Sequence, residues 1–148
     1  MPGHAPYATY ADMLERFGRL ELLQLTDIDP DAPIDEPDQA MTEKALGDAT
    51  ELVNGYVAGR YAVPLTPIPD PVRRWTCIIA RYYLHKDSVP ERVREAYEEA
   101  VAALKDVAKG LITLQSEGVG TPAGDITGGS AISAGPPKIF TTGSMKGF

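Results

Sequence analysis

The chain has 148 residues, a formal net charge of −7 and 24% charged side chains, enough for one domain with a modest core. The acidic balance argues against nucleic-acid binding by bulk electrostatics, and no apolar run reaches the ~18 residues that a membrane span needs. A lone cysteine, Cys77, excludes an internal disulfide framework. The opening "MPGHAPYATYADM" has no basic block followed by an apolar one, so no secretory signal is expected and the chain reads as a cytosolic, soluble domain.

The pattern predicts an all-α fold: a body like a four-helix bundle over residues 1–114, then a long irregular C-terminal arm over 115–148. The first helix is expected from about Tyr10 to Leu25, with Thr9 as N-cap and Asp12 as its capping-box partner. Its apolar positions are Met13, Leu14, Phe17, Leu20, Leu22, Leu23 and Leu25, and Gly18 marks a bend or a close contact. Residues 26–38, "TDIDPDAPIDEPD", carry six acids, three prolines and no base, which is a loop. The second helix follows with Asp38 as cap and runs to about Tyr61. Ala45, Ala49, Leu52, Val53, Tyr56, Val57 and Arg60 recur on it at three- and four-residue steps.

Pro64, Pro67, Pro69 and Pro71 crowd into eight residues, a density that neither a helix interior nor a central strand tolerates. Residues 62–71 are therefore a stiff corner. Asp70 is the expected cap of the third helix, with Pro71 at its first position. Val72, Trp75, Ile78, Ile79, Tyr82 and Tyr83 form its inner face, and it ends near His85 and Lys86. The fourth helix opens at Ser88 with Glu91 at capping-box spacing. It carries the stripe Val93, Tyr97, Val101, Leu104, Val107 or Ala108, and Leu111. From Gln115 the texture changes to eight glycines and three prolines in 34 residues. Such a segment buries too little apolar surface to order itself. Ile126, Ile132, Ile139, Phe140, Met145 and Phe148 are spaced along it as anchors, which suits docking onto another surface.

Candidate chemistry is sparse. Asp27, Asp29, Asp31, Asp35 and Asp38 fall at ligand positions of a calcium loop, with Ile34 at the apolar position. Ala32 stands where the turn needs glycine, and Pro30, Pro33 and Pro37 restrict the wrap, so a solvated acidic loop is the better reading and no metal is expected. His4, His85 and Cys77 match no zinc spacing, and Cys77 is read as a packed core thiol. Arg60, Arg73, Arg74 and Arg81 gather near the corner in the sequence, and ion pairing to acids of this chain or a partner fits the negative field better than phosphate binding. No acid, base and nucleophile assemble, so no enzyme activity and no cofactor are expected.

The order "YATYADMLERFGRLELLQLTD", "VNGYVAGRYAVPL", "IPDPVRRWTCIIARYYLH", "VREAYEEAVAALKDVAKGLITL" and "IFTTGSMKGF" resembles the Mu-like phage and prophage head–tail connector proteins, from Tyr7 to Phe148. The resemblance implies a helical adaptor of the virion neck, made in the host cytoplasm. Such adaptors form a homo-oligomeric ring, usually of about twelve subunits, below the portal. The ring joins the portal to the next neck, stopper or tail-completion protein and leaves a channel through which DNA passes without specific binding. Acids facing that channel would repel DNA and let it slide. Arg73 and Arg74 near the corner, with Ile139, Phe140, Met145 and Phe148 in the arm, are the expected partner contacts. The alternatives are a stopper-type completion protein, or a small helical calcium- or nucleic-acid-binding module.

Overall fold

A computed structural model describes residues 5–114, which form five α-helices: α1 (Tyr10–Phe17), α2 (Arg19–Thr26), α3 (Gln39–Val57), α4 (Asp70–His85) and α5 (Glu91–Lys109). The three long helices α3, α4 and α5 pack on one another, and the short pair α1 and α2 lies across α3 and α4. The all-α expectation holds, with one helix more than the pattern suggested. The first expected helix is two, broken at Gly18, whose φ of 93° is open to glycine and strained for any other residue. A Cβ at Gly18 would meet nothing within 4 Å, so backbone conformation alone requires glycine there. The break re-phases the second half, so Leu22 is buried while Leu20 is 65% exposed.

The helix starts follow local chemistry, with two differences. Thr9 and Asp12 form a reciprocal capping box on α1, and the Asp38 carboxylate accepts from Met41 N at 3.0 Å to cap α3. On α4 the cap position is Pro69, not Asp70, which is the first helical residue and places its carboxylate in the positive first turn. On α5 the cap is Pro90, not Ser88, which stays exposed. Neither proline-capped start has a side-chain cap bond; proline's fixed φ supplies the entry geometry instead. The second expected helix also stops early: α3 ends at Val57, and Arg60 and Tyr61 belong to the corner.

The core follows the helical period. α3 buries Thr42, Ala45, Leu46, Ala49, Thr50, Val53 and Val57, and α4 buries Val72, Trp75, Thr76, Cys77, Ile79, Ala80 and Leu84. Ala45 and Ala49 let the backbones approach closely. The buried stripe of α5 is Val93, Ala100, Leu104 and Val107, which leaves Val101 half-buried and Ala108 exposed. Four threonines lie in this interior, and each hydroxyl donates to the carbonyl four residues back: Thr26 to Leu22, Thr42 to Asp38, Thr50 to Leu46 and Thr76 to Val72, at 2.8–2.9 Å. Every one of these polar groups is therefore satisfied within its own helix or cap.

Two buried tyrosines tie the corner to the rest. Tyr7 donates from its backbone N to Thr50 Oγ1 at 2.9 Å, and its hydroxyl donates to Asn54 Oδ1 at 2.5 Å while accepting from Leu65 N at 2.9 Å. One side chain thus binds the N-terminal segment, α3 and the proline corner. Two corner peptide bonds, Val63–Pro64 and Thr66–Pro67, are cis. At the other side, Tyr61 Oη accepts from Leu114 N at 3.0 Å. Gly110 closes α5 at φ 84°, with Gly110 N donating to Val107 O and Leu111 N to Asp106 O. The Arg60 guanidinium lies so close that a Cβ on Gly110 would sit 2.8 Å from it.

Three measurements check this packing. Tyr7→Phe strands the Leu65 N–H in the interior and should cost about 1–3 kcal/mol in urea unfolding; an unchanged midpoint would remove Tyr7 from its tying role. Gly110→Ala should cost about 1–2 kcal/mol through its left-handed backbone, with part recovered by adding Arg60→Ala. Burial pushes the Cys77 thiol up to about 11, against the milder opposing pull of Arg16. The thiol should therefore react with thiol reagents at pH 8 on the order of a hundredfold more slowly than a free cysteine, until the chain unfolds.

Candidate interaction surfaces

The proline corner lies beside the end of the described residues. Leu114, the last of the described residues, is buried at 3% exposure with its N–H held by Tyr61 beside the corner. The structure brings the corner and the last described residue together. The signal available was Tyr61 itself, a large side chain just beyond the end of α3, but nothing local pairs it with a residue 53 positions later. Ile139, Phe140, Met145 and Phe148 lie outside the described residues.

The four arginines do not form one cluster. Arg60 lies on the C-terminal end of α5, where a cation suits the negative end of the helix. Arg73 approaches Asp12 of α1 at 3.7 Å and is half-exposed. Arg74 is exposed and makes no ion pair among the described residues, which leaves it the freer of the two candidates for partner contact. Arg81 sits far along α4, where it holds Glu21 of α2 through two bonds of 2.5 and 3.1 Å and covers the Phe17 ring at 4.6 Å. That ion pair is 16% and 26% exposed at its two side chains, and it fastens the α1–α2 pair onto α4. Pairing within the chain is therefore what Arg73 and Arg81 do, as the negative field suggested.

The acidic loop has a defined shape. Asp27 accepts from Ile34 N, Asp29 accepts from Asp31 N, and Asp38 caps α3. Asp38 N donates to Thr26 Oγ1 at 3.0 Å, which closes the two ends of the loop on each other. Arg19 holds the Glu36 carboxylate and the Asp35 carbonyl, and the Glu36 carboxyl is drawn below its usual range by that guanidinium. The aspartates thus serve turns and a cap. Among the described residues, no three histidine, cysteine or acidic side chains converge to hold a metal ion.

A half-buried tyrosine face lies across α4 and α5. Tyr82 stacks on Tyr97 with ring centroids 3.8 Å apart, and Tyr83 tilts against both. Burial, then Tyr97, raises Tyr83, and burial raises Tyr97. Trp75 is core, as expected, whereas Tyr82 and Tyr83 remain partly open to solvent. His85 is the last residue of α4, and its Nε2 is buried without a hydrogen-bond partner among the described residues.

These surfaces are found on a chain with known relatives. Gene product J of Escherichia phage Mu is 33% identical over 121 residues, covering 80% of this chain and 84% of that protein. The Mu-like prophage FluMu protein gp36 of Haemophilus influenzae is 33% identical over 108 residues, covering 73% and 74%. Residues 7–130 match the family described as Bacteriophage Mu, Gp36, and so take in nearly the whole helical body and the first part of the arm. The chain therefore belongs to the bacteriophage Mu Gp36 family.

Proposed function

We propose that this phage protein is a structural component of the virion neck: a head–tail connector that forms a ring below the portal. In this reading it joins the portal to the next neck or tail component and leaves a channel for the genome. Family membership supports a structural or morphogenetic role in a phage particle. The observation that supports the finer reading is the held end of the described body: Leu114 N is bound by Tyr61, and in the sequence 34 residues with eight glycines and spaced apolar anchors follow.

The mechanism is interfacial. The body keeps its shape because its four buried threonine hydroxyls are satisfied internally and its corner is tied at two points. The arm supplies Ile139, Phe140, Met145 and Phe148 to a neighbouring surface, and Arg74, with Arg73 behind it, presents positive charge near the corner. Ordering the arm costs chain entropy, which the partner surface must offset. Ring symmetry repeats each modest contact, so weak affinities combine as avidity. DNA passes through the lumen without specific recognition.

Truncation after Gly135 removes all four arm anchors and leaves residues 5–114 intact. The shortened protein should melt within about 1 °C of the full chain yet fail to join purified heads to tails. Normal joining by the truncated protein would defeat the arm's assigned role.

A further inference from the structure

Charge is divided along the molecule. Residues 5–58 carry twelve acids and three bases, whereas residues 59–114 carry seven acids and nine bases. The large apolar side chains that stand exposed among the described residues divide in the same way. Leu20 at 65%, Ile28 at 58% and Ile34 at 37% lie in and beside the acidic loop, and Leu111 at 72% lies just past the end of α5. Lys105 and Lys109 precede Leu111, four residues apart on one face of α5, and Arg60 lies against Gly110. All three bases are exposed, and none makes an ion pair among the described residues; Asp106, half-buried on the last turn, is the acid nearest in sequence.

The two patches cannot meet within one chain. Thr26 and Asp38 pin the acidic loop at the N-terminal end of α3. Arg60 and the end of α5 lie at its C-terminal end. α3 has 19 residues, which at 1.5 Å per residue separates the ends by roughly 28 Å. Each patch joins exposed apolar side chains to one sign of charge, and among the described residues neither meets its complement, which a second copy supplies.

We infer that the acidic loop of one protomer, through Ile28, Ile34, Asp31 and Asp35, docks on Arg60, Lys105, Lys109 and Leu111 of the next. The contact is head-to-tail, the kind that closes into a ring when its rotation permits. It rests on the ring reading above for its closure. It also removes the loop from the lumen, since its acids face a neighbour instead of DNA. The apolar residues supply the buried centre and the charges set partner choice and register.

The test is sedimentation velocity of the full chain, with charge-reversal variants. Asp31 and Asp35 use no side-chain hydrogen bond in the loop, and Lys105 and Lys109 none on α5, so reversing them breaks no hydrogen bond of the fold, and far-UV circular dichroism of each variant checks that the helices are retained. The native protein should associate as its concentration rises toward about 0.5 mM at low salt, and less at about 0.5 M salt, where screening shortens the Debye length. Asp31→Lys with Asp35→Lys, and separately Lys105→Glu with Lys109→Glu, should each weaken association about tenfold or more. A mixture of the two reversed proteins should associate again, because the unaltered loop of one meets the unaltered patch of the other. A native protein that stays monomeric throughout, or reversed variants that associate as well as native, would overturn this interface. If the native protein still joins heads to tails in that event, the connector reading survives without it; if it associates as described but joins nothing, the connector reading fails instead.

Discussion

The structure depends on holding a stretch of chain that makes no helix of its own. Residues 58–69 carry prolines that cannot contribute N–H groups to a regular ladder, so their order must come from elsewhere. The Tyr7 hydroxyl provides it, accepting from Leu65 N and donating to Asn54. Both partners are far from Tyr7 in sequence, and burial raises the phenol further above its usual range, keeping it a neutral donor. With Leu65 fixed, α4 begins at a set angle to α3, and the core between them can close.

The same corner governs the exit of the arm. Tyr61 holds Leu114, and Arg60 covers the glycine that ends α5. A long segment is useful as a grip only when its origin is fixed, because the volume it searches is set by where it starts. Under the proposed connector role, the same stiffness that shapes the body also fixes the point from which the arm would reach a partner. On the other flank, the Arg81–Glu21 pair and the Phe17 ring beneath it hold the α1–α2 unit against α4. That leaves the acidic loop standing at one end and the basic residues at the other.

Much of this was legible in residue spacing. The capping box at Thr9, the Asp38 cap and the Ala45, Ala49, Val53 and Val57 stripe of α3 follow from the helical period and from short polar side chains before apolar runs. On α4 Val72, Trp75 and Ile79 are buried as expected, while Ile78, Tyr82 and Tyr83 are half-buried and Thr76, Cys77, Ala80 and Leu84 complete the core. The α5 stripe was legible at Val93, Leu104 and Val107. Ala100 replaces Val101, since both fit a three-or-four step and packing against α4 decides between them, and Leu111, expected on the stripe, lies past the helix end and is exposed. The break at Gly18 was visible as a weak point, but its positive φ is a backbone choice that tertiary contacts make. The cap on α4 shifted by one residue because Pro69 and Pro71 both favour a helix entry. The tyrosine ties were illegible: bonds spanning 53 and 58 residues leave no periodic trace. The opposed charge of the two halves was present in the sequence all along, yet it acquires meaning only when α3 sets the distance between the patches.

The central claim is location in the particle. Electron cryomicroscopy of intact virions carrying this protein with an added density tag at its N-terminus tests it directly. The account predicts tag density repeated around the vertex axis between portal and tail. Tag density along the tail tube, inside the head, or absent from the particle would contradict it.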